Sequence, residues 1–189
     1  MARVVTRAVL VMTCIAGMLS CAYGQTPTPP VNPAIDMRGY LLASRDAAEQ
    51  RETHRLAEDD FLRLSKKPGV VILDARSREK FAALHVAGAI NMPFPDIAVA
   101  TLRDAIPDKN TIILIYCNNN FINADAAFPS KLPSASLNLS TYIALYTYGY
   151  RNVYELGQII DINNAKLDLE PSPAADATQP ATLAQIPSP

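Results

Sequence analysis

The sequence predicts an α/β fold, a parallel sheet with helices on both faces. Three observations carry it. Val70-Val71-Ile72-Leu73 and Thr111-Ile112-Ile113-Leu114-Ile115-Tyr116 are apolar, β-branched runs of the kind that strands buried on both faces require. Segments with helical spacing separate these runs from each other and from a last strand pattern, Asn152 to Leu156. A cysteine, Cys117, follows directly on the second run and opens onto polar Asn118-Asn119-Asn120. A strand's C-terminal end is where α/β proteins place reactive groups.

Element by element, Ile35 to Glu52 has apolar residues at helical spacing among many charges and reads as an amphipathic helix on the outside of the domain. Acidic Glu58-Asp59-Asp60 suits the first turn of a short helix through Phe61, Leu62 and Leu64, which Lys67-Pro68-Gly69 ends. Val70 to Leu73 is the first core strand, with Asp74 and Arg76 at its C-terminal end. Glu79 to Leu84 makes a helical turn, Gly88 a turn, and Ala89 to Met92 a short strand. Ile97 to Leu102 suggests a helix that stops before Ile106-Pro107-Asp108-Lys109. After the central strand and its loop, Ser140 to Tyr148 reads as a helix broken by Gly149, and Asn152 to Leu156 closes the sheet.

The flanks are different in kind. Arg3 and Arg7 precede an apolar stretch from Ala8 to Leu19, too short to span a bilayer, which reads as an export signal. Two cleavage patterns follow. Ala22 and Gly24 place a general cut before Gln25, giving a leader over 1–24. Alternatively, Met18-Leu19-Ser20-Cys21 resembles a bacterial lipobox, with a leader over 1–20 and Cys21 as the lipidated first residue. Residues 25–34 are a Pro/Thr-rich linker, 35–170 the folded domain with its N-terminal helical extension, and 171–189 a Pro/Ala-rich tail with the composition of disorder. The expected location is the bacterial periplasm or cell envelope, with membrane attachment only through a lipid on Cys21. Net charge is −1 with both signs well mixed, so no nucleic-acid surface is implied. No His/Cys/carboxylate cluster has metal spacing, and neither metal nor cofactor is expected. Of the three cysteines, Cys14 and Cys21 belong to the leader or its end. Cys117 is then a lone thiol in an oxidising compartment, where cysteines usually pair; it is either inert or chemically useful.

Four motifs in order resemble the rhodanese family. Leu73-Asp74-Ala75-Arg76 matches its strand ending in Asp-x-Arg, and His85-Val86-Ala87-Gly88-Ala89-Ile90-Asn91-Met92-Pro93 its His-Ile-Pro-Gly-Ala-Ile-Asn-Ile-Pro pattern. Ile115-Tyr116-Cys117 matches the strand that delivers the catalytic cysteine, and Gly149-Tyr150-Arg151-Asn152-Val153-Tyr154-Glu155-Leu156 resembles Gly-Tyr-x-Asn-Val-Tyr-x-Leu. The resemblance implies a rhodanese-like three-layer α/β/α domain around a central parallel sheet of about five strands. It further implies a sulfurtransferase in which Cys117 takes sulfane sulfur from a small donor and passes it, as a persulfide, to a thiol acceptor or a protein partner.

The chemistry itself asks for a thiolate, and loop amides above a strand end can stabilise the anion. Asn118, Asn119, Asn120, Phe121 and Ile122 are the expected anion-binding loop. Asn120 stands where glycine usually lets such a loop curl, and asparagine tolerates a left-handed backbone. Phe121 is expected either to line the pocket or to plug it. Asp74, Arg76 and His85 are supporting residues, read as structural ties. Members using anionic donors carry a basic residue five positions after the cysteine; here that position is Ile122, and the loop holds no cation. Lys131 and Arg151 are the substitutes that folding could bring near. The phosphatases of the same fold need arginine six positions after the cysteine, where this chain has Asn123, and that activity is excluded. The stretch from Asn123 to Ser136 is an insertion relative to the family, either a lid or a surface excursion. The alternative to the enzyme is a rhodanese-like module, catalytically inactive, that binds a partner or senses redox state, with Phe121 and the insertion packed over the sulfur.

Overall fold

A computed structural model describes residues 30–172; the expected leader, Cys14, Cys21 and the expected tail beyond Ser172 lie outside the described residues. Residues 30–35 form a short turn of their own, in which the Ala34 and Ile35 amides donate to Asn32. From Asp36 the chain folds as one unit. Asp36 caps helix α1 (Met37–Arg51) by accepting from the Gly39 amide. There follow β1 (Arg55–Leu56), α2 (Glu58–Ser65), β2 (Val71–Asp74), α3 (Arg78–Ala83), β3 (His85–Val86) and β4 (Ile90–Asn91). Then come α4 (Val99–Ala105), β5 (Ile113–Tyr116), β6 (Phe121–Ile122), α5 (Leu137–Thr147), β7 (Val153–Leu156), β8 (Ile160–Asp161) and β9 (Leu169–Glu170).

Five strands make one parallel sheet in the order β1-β7-β5-β2-β4. All four residues of β5 are buried, as its unbroken apolar run requires of a strand with a neighbour on each side and a helical layer on each face. Side-chain alternation sorts the core. Ile113 and Ile115 join Leu102, Tyr142, Leu145 and Val153 on the face covered by α1, α4 and α5, whereas Leu114 and Tyr116 join Phe61, Phe128 and Leu156 on the other. Cys117, two residues beyond Ile115, is therefore delivered on the α5 side. Gly149, at φ +93°, turns the chain out of α5, a conformation that L side chains rarely adopt.

The motif around His85 is more than a turn. His85 and Val86 pair antiparallel with Glu170 and Leu169, tying the end of the described chain beside α3. The segment between Asn123 and Ser136 also differs from a plain surface excursion: Ala127 and Phe128 are buried, Phe128 completely. Phe128 packs against Phe121, with ring centroids 4.5 Å apart. Two aromatic residues that can reach one another across the sheet end bury more apolar area than a polar loop would, and this fixes the insertion's path.

Candidate functional site

Cys117 sits in extended backbone directly after β5 and is 1% exposed. The next three residues form a right-handed 3-10 turn, Asn118–Asn120, so Asn120 does not take a left-handed conformation. Among the described residues the one non-glycine position with positive φ is Asn123, at 64°. The curl comes from side-chain bonding instead. Asn120 Oδ1 accepts from the Cys117 amide at 2.9 Å, and Asn120 Nδ2 donates to the Leu156 and Gln158 carbonyls. One amide thus clips the loop to β7. These bonds fix which atom is oxygen, and so orient Asn138, whose Nδ2 donates to the same Asn120 Oδ1 at 3.2 Å. Asn120→Ala removes all four bonds and leaves buried backbone groups unpaired. It should cost about 2–3 kcal/mol, read from the urea midpoint, and speed alkylation of Cys117.

The other two asparagines bond the insertion through their side chains. Asn118 Nδ2 donates to the Pro129 carbonyl, and Asn119 exchanges two bonds with the backbone of Lys131. They fasten the insertion to the active loop. Its far end returns to the thiol: Ser136 Oγ lies 3.3 Å from Cys117 Sγ. Ser136 is also the residue from which α5 departs, so the positive end of an eleven-residue helix starts beside the sulfur. Phe121 neither lines nor plugs this place. It is buried on the opposite face against Tyr116 and Phe128, because β6 pairs with β8 and turns its ring inward. Ile122, the next residue of that strand, is 46% exposed.

The supporting residues divide cleanly. Asp74 and Arg76 form a buried ion pair, Nη2 to Oδ2 at 2.5 Å. Arg76 also donates to the Ala127 and Leu84 carbonyls, and its guanidinium lies 4.0 Å over the Phe128 ring. Tyr116 donates its hydroxyl to Asp74 at 2.6 Å; burial and then that carboxylate push the phenol's pKa well above its ordinary value. His85 stacks on Phe81 and bonds its carbonyl. All of these tie loops together; none lines the thiol's cleft.

That cleft, of about 170 Å³, is lined by Arg51, Arg55, Cys117, Asn119, Asn120, Ser136, Asn138, Glu155 and the turn at 156–159. The two expected substitute cations lie elsewhere. Lys131 borders a separate hollow with Arg76 and Lys80, and Arg151 stacks on Tyr146. Arg51, Arg55, Ser136, Asn138 and Glu155 were not singled out from sequence. The signal was present in Glu155, an acid inside an otherwise apolar strand: it is 2% exposed and must find a partner, which is Arg51 at 2.5 Å. A larger hollow of about 880 Å³ lies along β4 and α4 and holds no cysteine or histidine. Among the described residues no group of His, Cys, Asp and Glu could hold a metal ion, and no helix is long and apolar enough to cross a membrane.

Comparison with known proteins adds sequence evidence. The family model of the rhodanese-like domain matches residues 57–157. The chain is 39% identical over 46 residues to the thiosulfate sulfurtransferase PspE of Escherichia coli, a span of 24% of this chain and 43% of that protein. It therefore covers less than half the length of that relative. It is 33% identical over 75 residues to the thiosulfate sulfurtransferase GlpE of Pseudomonas putida, 40% of this chain and 67% of that one. A solved structure described as a rhodanese with anions from E. coli superposes with a TM-score of 0.37 at 23% identity, over 54% of this chain and 98% of its own.

Proposed function

Because the chain belongs to the rhodanese-like domain family, we propose that it is an exported sulfurtransferase carrying sulfane sulfur as a persulfide on Cys117. The observation that supports this most is the position of the thiol. It ends the central strand, opens on a polar cleft and lies at the N-terminus of α5. In the reaction the Cys117 thiol first gives its proton to solvent. The thiolate attacks the outer sulfur of a donor such as thiosulfate, and a new S–S bond forms. The donor's own S–S bond breaks, its electron pair leaves with sulfite, and Cys117 holds a persulfide anion. A helix N-terminus stabilises negative charge placed there, and no redox partner is needed. A thiol acceptor or a protein partner then removes the outer sulfur. Export rests on the leader pattern; the protein is then free in the periplasm or envelope, or anchored through Cys21.

A second reading has one observation in its favour. Cys117 is 1% exposed with Ser136 against the sulfur, as a binding or redox-sensing module would have it. Mass spectrometry after incubation with thiosulfate or polysulfide separates the two. The enzyme should gain one sulfur atom on the Cys117 peptide, and Cys117→Ser should gain none there. If Cys117 stays unmodified by every donor and resists alkylation, the module reading replaces the enzyme.

A further inference from the structure

The active loop holds no cation, yet the cleft beside the sulfur holds two. Arg51 comes from the last turn of α1 and Arg55 from β1, both before the stretch that the family model covers. The sheet register brings them to the thiol. Arg55 is the parallel partner of Glu155, and Glu155 of Ile115, so these three residues stand side by side across β1, β7 and β5. At about 4.8 Å per strand, Arg55 starts two strand spacings from Ile115, two residues before Cys117, and it lines the same cleft as the thiol.

The arrangement is built, not incidental to a charged surface. Glu155 is 3% exposed in its side chain and grips Arg51 by one oxygen; its other oxygen is buried without a partner. Arg51 Nε and Asn138 Oδ1 are likewise buried and unpartnered. Tyr142, on α5, faces the same pair; burial and then Glu155 raise its phenol pKa, so it remains neutral beside the carboxylate. The ionisable groups lining the cleft, besides the thiol, are two guanidiniums and one carboxylate; Arg55 is also paired with Glu52 outside the lining, an exposed pair of the weak kind that leaves the guanidinium able to turn to an entering anion. The cleft's volume of about 170 Å³ corresponds to roughly six water-sized heavy atoms.

Resting on the persulfide reading above, we infer that Arg51 and Arg55 form the donor's anion site and make the protein selective for anionic sulfane-sulfur donors. The N-terminal extension thereby completes a site that the loop alone leaves without charge. Glu155 positions Arg51 and tempers the field. In the transfer step, thiolate and thiosulfate are both negative as the new S–S bond forms and sulfite departs with the electron pair of the old one. Two guanidiniums lower the repulsion at that stage.

The test uses two alkylating probes that differ in charge, iodoacetate and iodoacetamide, with rates read on the Cys117 peptide of the full chain. Wild type should favour iodoacetate relative to free cysteine. Arg55→Ala, at a side chain 42% exposed, should lower the iodoacetate-to-iodoacetamide ratio by about tenfold and raise KM for thiosulfate more than it lowers kcat. Glu155→Gln should move the ratio the other way. Arg51→Lys, which keeps the charge, covers the case in which removing it unfolds the protein, and should retain most of the selectivity. A wild-type ratio equal to that of free cysteine, unchanged in Arg55→Ala, overturns the inference while leaving the persulfide reading intact. A charge-selective ratio with no persulfide from either thiosulfate or polysulfide supports the anion site and removes the persulfide reading.

Discussion

Arg76→Ala should lower the unfolding free energy by about 3–5 kcal/mol, because it leaves the buried Asp74 carboxylate with no cation. Both side chains of the pair are about 1% exposed or less. The guanidinium is fully committed: it chelates Asp74, donates to the Ala127 and Leu84 carbonyls, and lies over Phe128. Its loss therefore affects three places at once, namely the end of β2, the α3–β3 junction at Leu84 and the insertion. Tyr116 can still donate to Asp74 but carries no charge. Urea denaturation followed by circular dichroism measures this as a lower midpoint at unchanged slope. Arg76→Lys should recover less than half of the loss, since one ammonium cannot fork onto the carboxylate and reach two carbonyls. A loss below about 1 kcal/mol for Arg76→Ala would show that the pair is not what joins these loops.

Phe128→Ala is the second large expectation, at about 3–5 kcal/mol, the range for removing a fully buried phenylalanine. Its ring packs against Phe121, tilted with centroids 4.5 Å apart, and under the Arg76 guanidinium at 4.0 Å. The result would show that the insertion belongs to the core and is not a flap lying on it. A functional consequence accompanies it. The same segment continues through Pro129 and Lys131, which the active-loop asparagines hold, to Ser136 on the sulfur. Cys117 in Phe128→Ala should therefore be alkylated faster than in wild type at a urea concentration where both remain folded. Equal alkylation rates would mean that the insertion shields the thiol independently of its anchor.

These two expectations also mark where sequence was readable. The strand ending in Cys117 and the Asp-x-Arg tie were visible because a β-branched run and its terminal polar residues are local patterns, a few residues long. The helical extension was visible too, but not its packing face: Tyr40 and Leu41, whose spacing suggested an apolar face, are exposed, and Ala47 is the buried residue of α1. What it carries was not visible either. Arg51 meets Glu155 across 104 positions of chain, and nothing in local spacing distinguishes that arginine from its solvated neighbours on α1. The loop misled in another way. Three asparagines suggested a left-handed curl through backbone preference, whereas their side chains do the holding and the left-handed residue is Asn123. Phe121 was ambiguous because its direction depends on pairing with β8, a two-residue strand too short to leave a periodic signal.

The central sheet is bordered on both sides by strands of two residues, β1 and β4. Its middle strand is a wholly apolar four-residue run, the kind of segment that readily joins a second chain when left open. Here the exposed ladder at either border is only a residue or two long, so an incoming strand would find almost no backbone to pair with. The fold thus keeps its stickiest segment in the middle and offers little template at the margins, which should limit association of one molecule with another through their sheets.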